Sequence, residues 1–135
     1  MAGCYDGPTY CLNAGGWAVE ESENAVTLTP ADIDAALVIS SLTKEDGRIS
    51  TDELGRMSGH GSPPDAIRTP VDCGQFHGVR AQYGGTEATH WRVWWLAHEQ
   101  THLYVTYNCH VDYAGRHDAV VDWMLSTLEH RSSAA

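Results

Sequence analysis

Apolar and polar positions alternate along the second half of the chain in the way that half-buried β-strands require. Residues 76–83 and 89–97 flank the turn signal Gly84-Gly85, and residues 103–109 follow with strand-forming side chains. These segments are rich in β-branched and aromatic residues, which favour a pleated strand. The sequence therefore predicts an antiparallel meander of three strands.

A helical period replaces this alternation near the end of the chain. An apolar stripe at helical spacing predicts a C-terminal helix, with Asp118, Asp122 and Glu129 turned outward; its members are Val120, Val121, Met124, Leu125 and Leu128. Such a stripe must cover an apolar surface, and the meander is the available partner. The predicted fold class is α+β, an antiparallel sheet packed by helices with the C-terminal helix on the sheet. Trp91, Trp95 and Trp123 are predicted core residues.

The first third of the chain is less decisive. Residues 17–28 alternate around an acidic patch at 20–24, which predicts a short hairpin. Residues 35–42 form an apolar run that could be a strand, as Val38 and Ile39 favour, or the end of a helix begun at Thr29-Pro30. Both alternatives stay open. The chain is predicted to form one domain over residues 1–135, with an irregular segment at 1–14 and a frayed tail at 131–135.

The segment between residues 44 and 54 resembles the second half of a calcium-binding EF-hand loop. Gly47 would take the sixth position of that loop and Glu53 the twelfth. Positions one and three fall on Leu42 and Lys44, so two of the calcium-binding carboxylates are absent. A polar turn followed by a helix capped by Ser50 or Thr51 explains the same residues. Residues 57–74 are rich in Gly and Pro and predict a loop with little regular structure.

The motif His98-Glu99-Gln100-Thr101-His102 matches the zinc-protease signature HExxH, which functions only on a helix. On a helix, His98 and His102 would clamp Zn²⁺ on one face, and Glu99 would act as the general base. Strand formers dominate residues 89–109, and the helix formers cluster mostly at the middle, which predicts a hairpin with the motif across its turn. The turn contains neither Gly nor Asn, which counts against the hairpin.

Ligand spacing gives a second test of the zinc hypothesis. The extended metzincin pattern would need Gly at Val105 and His at Asn108, and neither is present. Cys109 and His110 are adjacent, but neighbours on a strand point to opposite faces, which argues against a thiolate mechanism. A zinc-dependent hydrolase through His98 and His102 remains the enzyme alternative, whereas the preferred interpretation predicts no catalytic residue, metal or cofactor.

Composition describes a soluble protein with a strong negative charge. The 135 residues include 8 Lys and Arg against 18 Asp and Glu, a formal net charge of −10. This charge disfavours nucleic acid and anionic membranes and suits a basic partner. The four cysteines form no CxxC pair and are expected to be free thiols. Without a signal peptide or an apolar stretch of membrane length, the expected location is the cytoplasm.

The arrangement of these segments resembles a known group of small bacterial proteins. The segments that carry the resemblance are Ala36 to Ser41, Asp52 to Leu54, Trp91 to Leu96, Val105 to Cys109 and Val121 to Leu128. Together they are similar to the PsbP-like α/β sandwich group, over most of residues 15–130. The resemblance implies that residues 36–41 form a strand and that the HExxH segment lies at a hairpin tip. Relatives in this group recognise other proteins, among them possible immunity proteins and secretion chaperones.

The sequence thus predicts a non-enzymatic, cytoplasmic protein-binding module. An acidic immunity-type inhibitor of a cognate bacterial toxin is the preferred function, and a chaperone for secreted effectors is a further alternative. Carboxylates at Glu45, Asp46, Asp52 and Glu53 are predicted to meet basic residues of the partner. If the alternation points Trp95 and its neighbours inward, Trp94 faces the other way as a surface anchor, or is buried against another element.

Overall fold

The computed structural model describes residues 4–23, 25–45, 47–85 and 87–131. Its strands, in chain order, are β1 (Cys4–Asp6), β2 (Tyr10–Asn13), β3 (Ala18–Glu21), β4 (Ala25–Thr29), β5 (Ala35–Thr43), β6 (Ile67–Cys73), β7 (Phe76–Gly84), β8 (Thr89–His98), β9 (Thr101–His110) and β10 (Glu129–His130). The helices are α1 (Thr51–Gly61) and α2 (Asp118–Ser126), and a single 3₁₀ turn covers Val111–Tyr113.

A seven-stranded antiparallel sheet forms the centre of the molecule, in the order β3-β4-β5-β9-β8-β7-β6. The predicted meander is its middle, and the predicted N-terminal hairpin is β3 and β4 at one edge. Residues 35–43 are a strand that pairs with β9 along its whole length, so tertiary pairing decides the ambiguity left by the sequence. Strands β1, β2 and β10 form a second, three-stranded sheet.

Both faces of the large sheet carry a hydrophobic core. On one face, called here the α2 face, Trp94, Leu96 and Val105 pack with α2 and with the small sheet. On the opposite face, called the α1 face, Val93 and Trp95 pack with Leu54 of α1. The α+β sandwich class is thus observed, with antiparallel sheet dominating and helices packed on it.

Helix α1 begins where the sequence predicts a cap. The Ser50 hydroxyl accepts a hydrogen bond from the backbone N–H of Glu53 at 3.1 Å, and a Glu53 carboxylate oxygen accepts from the N–H of Ser50 at 3.2 Å. This reciprocal capping box satisfies two donors that a helix start would otherwise leave free. Residues 42–45 and 47–53 therefore contain a strand end and a capped helix start.

Two segments predicted to be irregular contain regular structure. Residues 4–6 and 10–13 of the N-terminal segment are strands, because Tyr5 and Leu12 pair across them and enter the core. The Gly- and Pro-rich segment 57–74 contains the end of α1 and the whole of β6. Pro70 is tolerated there because β6 is an edge strand. Of the predicted tail 131–135, only Arg131 lies within the described residues.

The C-terminal helix is confirmed, but the prediction that Trp123 is a core residue is wrong, because Trp123 is 47% exposed. Asp118 and Asp122, predicted to face outward, remain 35% and 49% exposed and also reach Arg92 on β8. The helix turns Met124 and Leu125 into the core and uses its acidic residues to meet a buried cation. Within the described ranges, neither helix has the length and apolar character needed to cross a membrane.

Candidate functional site

The HExxH motif lies across the tip of the β8–β9 hairpin. His98 pairs with Thr101, which leaves Glu99 and Gln100 as a two-residue turn. Glu99 has φ of +53° and so takes the left-handed conformation that Gly or Asn would normally supply in such a turn. The hairpin predicted from the strand formers is therefore correct, although its turn residues are unusual.

The two histidines of the motif project from opposite faces of the sheet. Nδ1 of His98 lies 2.9 Å from the carbonyl oxygen of Gln75, and the His98 ring stacks 4.4 Å from the ring of His130. His102 is paired with Ala97 on the α1 face, and its Nδ1 lies 2.9 Å from the carbonyl oxygen of Leu96. Because the two rings face away from each other, the motif does not form the helical zinc clamp.

The hairpin turn instead supports the acidic loop before α1. The backbone N–H of Ile49 donates to the carbonyl oxygen of Glu99, and that of Lys44 donates to the carbonyl oxygen of Gln100, each at 2.8 Å. Ile49 is buried in the core beneath α1. These bonds hold loop and hairpin together and give the motif a structural role.

The acidic residues predicted to meet a partner lie in and after this loop, with different surroundings. Glu45 and Asp52 are exposed, whereas Asp46 lies outside the described residues. Glu53 forms a 2.8 Å ion pair with Lys44 and also caps α1. The hydrogen bond from Lys44 is the largest cause that holds the pKa of Glu53 below its usual value. Glu53 is therefore already paired within the protein.

Trp94 requires a correction as a candidate surface anchor. Its side chain is only 1% exposed, in the core of the α2 face. The Arg92 guanidinium lies 4.9 Å from the Trp94 ring centre, so the indole is covered by a cation as well as by apolar side chains. The second possibility left by the alternation, burial against another element, is the one observed. Trp94 therefore offers no surface to a partner.

Arg92 is itself a buried charge that the sequence did not reveal. It is 2% exposed; Nη2 lies 2.8 Å from Oδ1 of Asp122, and Nη1 lies 3.5 Å from Oδ1 of Asp118. The phenolic oxygen of Tyr107 is also buried and has no hydrogen-bond partner among the described residues. The spacing of Asp118 and Asp122, one helical turn apart, is the signal that could have indicated a shared cation.

The part of the α1 face that helix α1 does not cover is a surface without charged side chains. Strands β4, β5 and β9 place alternate side chains on this surface, called here the open face. Its residues are Ala25, Thr27, Thr29, Ala36, Val38, Ser40, Leu42, His102, Tyr104, Thr106 and Asn108. None is Asp, Glu, Lys or Arg, although 19% of the chain is charged. Leu42 is 66% exposed and Tyr104 38%. Depletion of charge at a partly apolar surface is typical of the centre of a protein interface.

A cleft of about 630 Å³ adjoins the open face where α1 leaves the sheet. Its residues come from the flank of α1 and from β8 and β9: Glu53, Arg56, Met57, His60, Gly61, Trp95, His102 and Tyr104. Tyr104 and His102 belong to both the cleft and the open face, so the two form one continuous surface. Sequence reasoning missed this surface because it depends on which alternate residues of each strand point to the same side of the sheet. The sequence alone does not fix that choice for three strands at once.

Cys73 and Cys109 show no sign of nucleophilic activation. Burial raises the pKa of the Cys73 thiol to about 12, and burial also raises the pKa of the Cys109 thiol. A thiolate nucleophile needs the opposite shift. His110, adjacent to Cys109, instead accepts a hydrogen bond from the backbone N–H of Asp112. Across the described ranges, no three side chains of the metal-binding types converge on one point.

Three histidines make stability depend on pH in a defined direction. Burial lowers the pKa of His90, His102 and His130 below the ordinary value near 6.5, so the unfolded chain binds more protons than the folded one. We expect the free energy of unfolding to change little between about pH 7 and 8 and to fall as pH drops below about 6.5. Urea denaturation at pH 7.5, 6.5 and 5.5 measures this; equal stability at all three values would contradict it.

Comparisons with known proteins inform the fold. No family model and no curated protein matches the chain. The chain is similar to a protein from Bacteroides thetaiotaomicron VPI-5482, whose crystal structure has a resolution of 1.50 Å. The TM-score is 0.69 at 14% sequence identity, and the similarity covers 100% of this chain. The chain spans about half of that protein, 51% of its length. At this identity, the similarity shows the fold alone.

Proposed function

We propose that this protein is a non-enzymatic protein-binding module that docks a basic partner on the open face. The observation that carries the proposal is the absence of Asp, Glu, Lys and Arg from the outward positions of β4, β5 and β9. A solvent-facing sheet surface normally carries charged side chains, because they keep a protein soluble. The lack of charged side chains on one surface of a highly charged protein indicates that a partner covers this surface during function.

The charge around the open face supports a basic partner. Exposed Glu20 lies on the neighbouring edge strand β3, opposite Thr27 of β4, and exposed Asp52 lies at the start of α1. An uncharged centre with acidic residues beyond it, in a protein of net charge −10, would attract a cationic surface from a distance. The partner's apolar and polar groups would then cover the centre.

The specific function that we propose is an acidic immunity-type inhibitor, located in the cytoplasm, that masks a basic cognate toxin. Two sequence features support it: the excess of carboxylates, and the packing pattern that resembles the PsbP-like sandwich group, to which we assign the fold. Inhibition by docking needs no catalytic residue, metal or cofactor in this chain. It needs an ordered surface, which the open face supplies, and complementary charge, which the acidic residues beyond the open face supply.

The partner is identified first, among the products of neighbouring genes, by photo-crosslinking from position 106 on the open face. Position 69 on β6 serves as the control.

A charge placed at the centre of the open face then tests the proposal. With the purified partner, Val38→Arg should weaken binding at least tenfold, because a buried interface does not accept an unpaired charge. Isothermal titration calorimetry measures the affinity, and thermal unfolding checks that the variant remains folded.

A matched variant and a salt series complete this test. Thr69→Arg adds the same charge on β6, away from the open face, and should leave affinity unchanged. The association rate should fall as salt rises, because long-range attraction to a basic partner is screened. Crosslinks that are equally strong from both positions, or full affinity in Val38→Arg, would contradict docking on the open face.

A further inference from the structure

The cleft beside α1 has a distinct chemical character within the surface just described. Its floor is apolar: the Trp95 and Tyr104 rings lie 5.9 Å apart at an interplanar angle of 53°, and Met57 lines the α1 side. Aromatic and thioether groups of this kind pack well against another planar ring. A volume of about 630 Å³ leaves ample room for one aromatic side chain.

His102 supplies a hydrogen-bond acceptor at this floor. The carbonyl oxygen of Leu96, 2.9 Å from Nδ1 of His102, can only accept, so Nδ1 carries the proton. Burial lowers the pKa of His102, which keeps the ring neutral and leaves a lone pair on Nε2. His102 is only 8% exposed, and no described residue forms a hydrogen bond with its Nε2. Because its Nε2 is not fully buried, it can accept a hydrogen bond from a ligand that enters the cleft and donates.

Arg56 supplies a donor on the other wall of the cleft. Glu53, one turn earlier on α1, is paired with Lys44, and no described carboxylate pairs with Arg56. The cleft thus places the Nε2 acceptor of His102 and the cationic donor Arg56 beside an aromatic floor, with the exposed His60 and the Lys44-paired Glu53 also on its walls. A carboxylate has no proton to donate and would be repelled by the lone pair of His102. An indole could donate a hydrogen bond to His102 but could not accept one from Arg56. A phenol both donates and accepts through one oxygen.

We propose that the cleft receives a tyrosine side chain of the protein partner, whose hydroxyl donates to Nε2 of His102 and accepts from Arg56. This inference rests on the proposed function, because the open face brings the partner to the mouth of the cleft. Tyrosine is also a frequent energetic anchor of protein interfaces when its ring enters a pocket. The buried ring would hold the partner at one end of the open face, and the His102 hydrogen bond would select it over phenylalanine.

A pair of small probes tests the cleft without the partner. p-Cresol has the ring and hydroxyl of tyrosine, and toluene has the same ring without the hydroxyl. In two-dimensional NMR titrations, p-cresol should bind saturably with shifts at Trp95, Tyr104 and His102, and about fivefold or more tightly than toluene. Equal affinities, shifts centred elsewhere, or no saturation by p-cresol would overturn the assignment.

Variants separate the hydrogen bond from simple packing. His102→Leu should abolish the preference for p-cresol while toluene still binds, whereas His77→Leu, an exposed position outside the cleft, should keep the preference. Val38→Arg distinguishes the two proposals, because it should lose the partner but keep p-cresol. If the p-cresol preference is absent while Val38→Arg still weakens the partner, the tyrosine assignment is wrong and docking on the open face stands.

Discussion

Replacement of both Asp118 and Asp122 by Asn is expected to lower the free energy of unfolding by about 3 kcal/mol. The two carboxylates are the counter-charges of Arg92, which is 2% exposed between α2 and β8. Without them a guanidinium remains in the core with neither water nor an opposite charge. Asp122 is about half exposed and still hydrated, so removing its charge recovers little desolvation energy. The cost therefore arises mainly from the cation left isolated in the core. Urea denaturation at pH 7.5 measures the change.

Two further variants identify the isolated charge as the cause. Asp65→Asn with Asp72→Asn removes the same net charge from exposed positions and should change stability by less than about 0.5 kcal/mol. Arg92→Met removes the cation, keeps an apolar stem in its place and leaves both carboxylates of α2 unchanged. It should cost less than the double replacement of Asp118 and Asp122. If Arg92→Met proves the more destabilising change, the isolated-cation explanation is wrong.

The second large effect is expected from Gly74→Ala, with a loss of about 3 kcal/mol. Gly74 lies in the β6–β7 turn with φ of +61°, and a Cβ there would overlap the carbonyl oxygen of Leu128. The same oxygen accepts a hydrogen bond from the backbone N–H of Gln75 at 2.9 Å. The substitution therefore adds backbone strain and also pushes the turn away from the segment that follows α2.

Gly115→Ala is the matched control for this substitution. Gly115 has φ of +86°, but no atom lies within 4 Å of a Cβ built on it. It should show only the conformational cost, about 1 kcal/mol. Thermal and urea unfolding of both variants measure the difference. Equal losses at the two positions would mean that the contact between Gly74 and Leu128 contributes nothing.

Local sequence patterns predicted the elements that are formed by contacts between segments close together in the sequence. The meander, the N-terminal hairpin and the capped α1 were predictable, because alternation, turn residues and the Ser50 cap act over a few residues. The HExxH hairpin was predictable from its strand formers, although Glu99 occupies the turn position that favours Gly. Strand β6 was not, because Pro70 and the nearby glycines masked an edge strand that exists through its pairing with β7.

The functional surface was harder to predict because it depends on long-range register. The acidic residues of the 44–53 loop were visible, but the ion pair that occupies Glu53 comes from Lys44, nine residues away. Trp94 had two possible environments, and the position of α2 decides between them. The open face combines alternate residues of three strands, and only the pairing of β5 with β4 and β9 places Val38 beside Thr27 and Thr106.

The open face is supported from behind by the core of the α2 face, and this arrangement has an entropic consequence. Alternate residues of β5 and β9, such as Leu37 and Val105, are fully buried on the far side while their neighbours face solvent. The backbone that presents the open face is therefore already ordered before any partner arrives. Association then loses little conformational entropy in this chain, so more of the contact energy contributes to affinity.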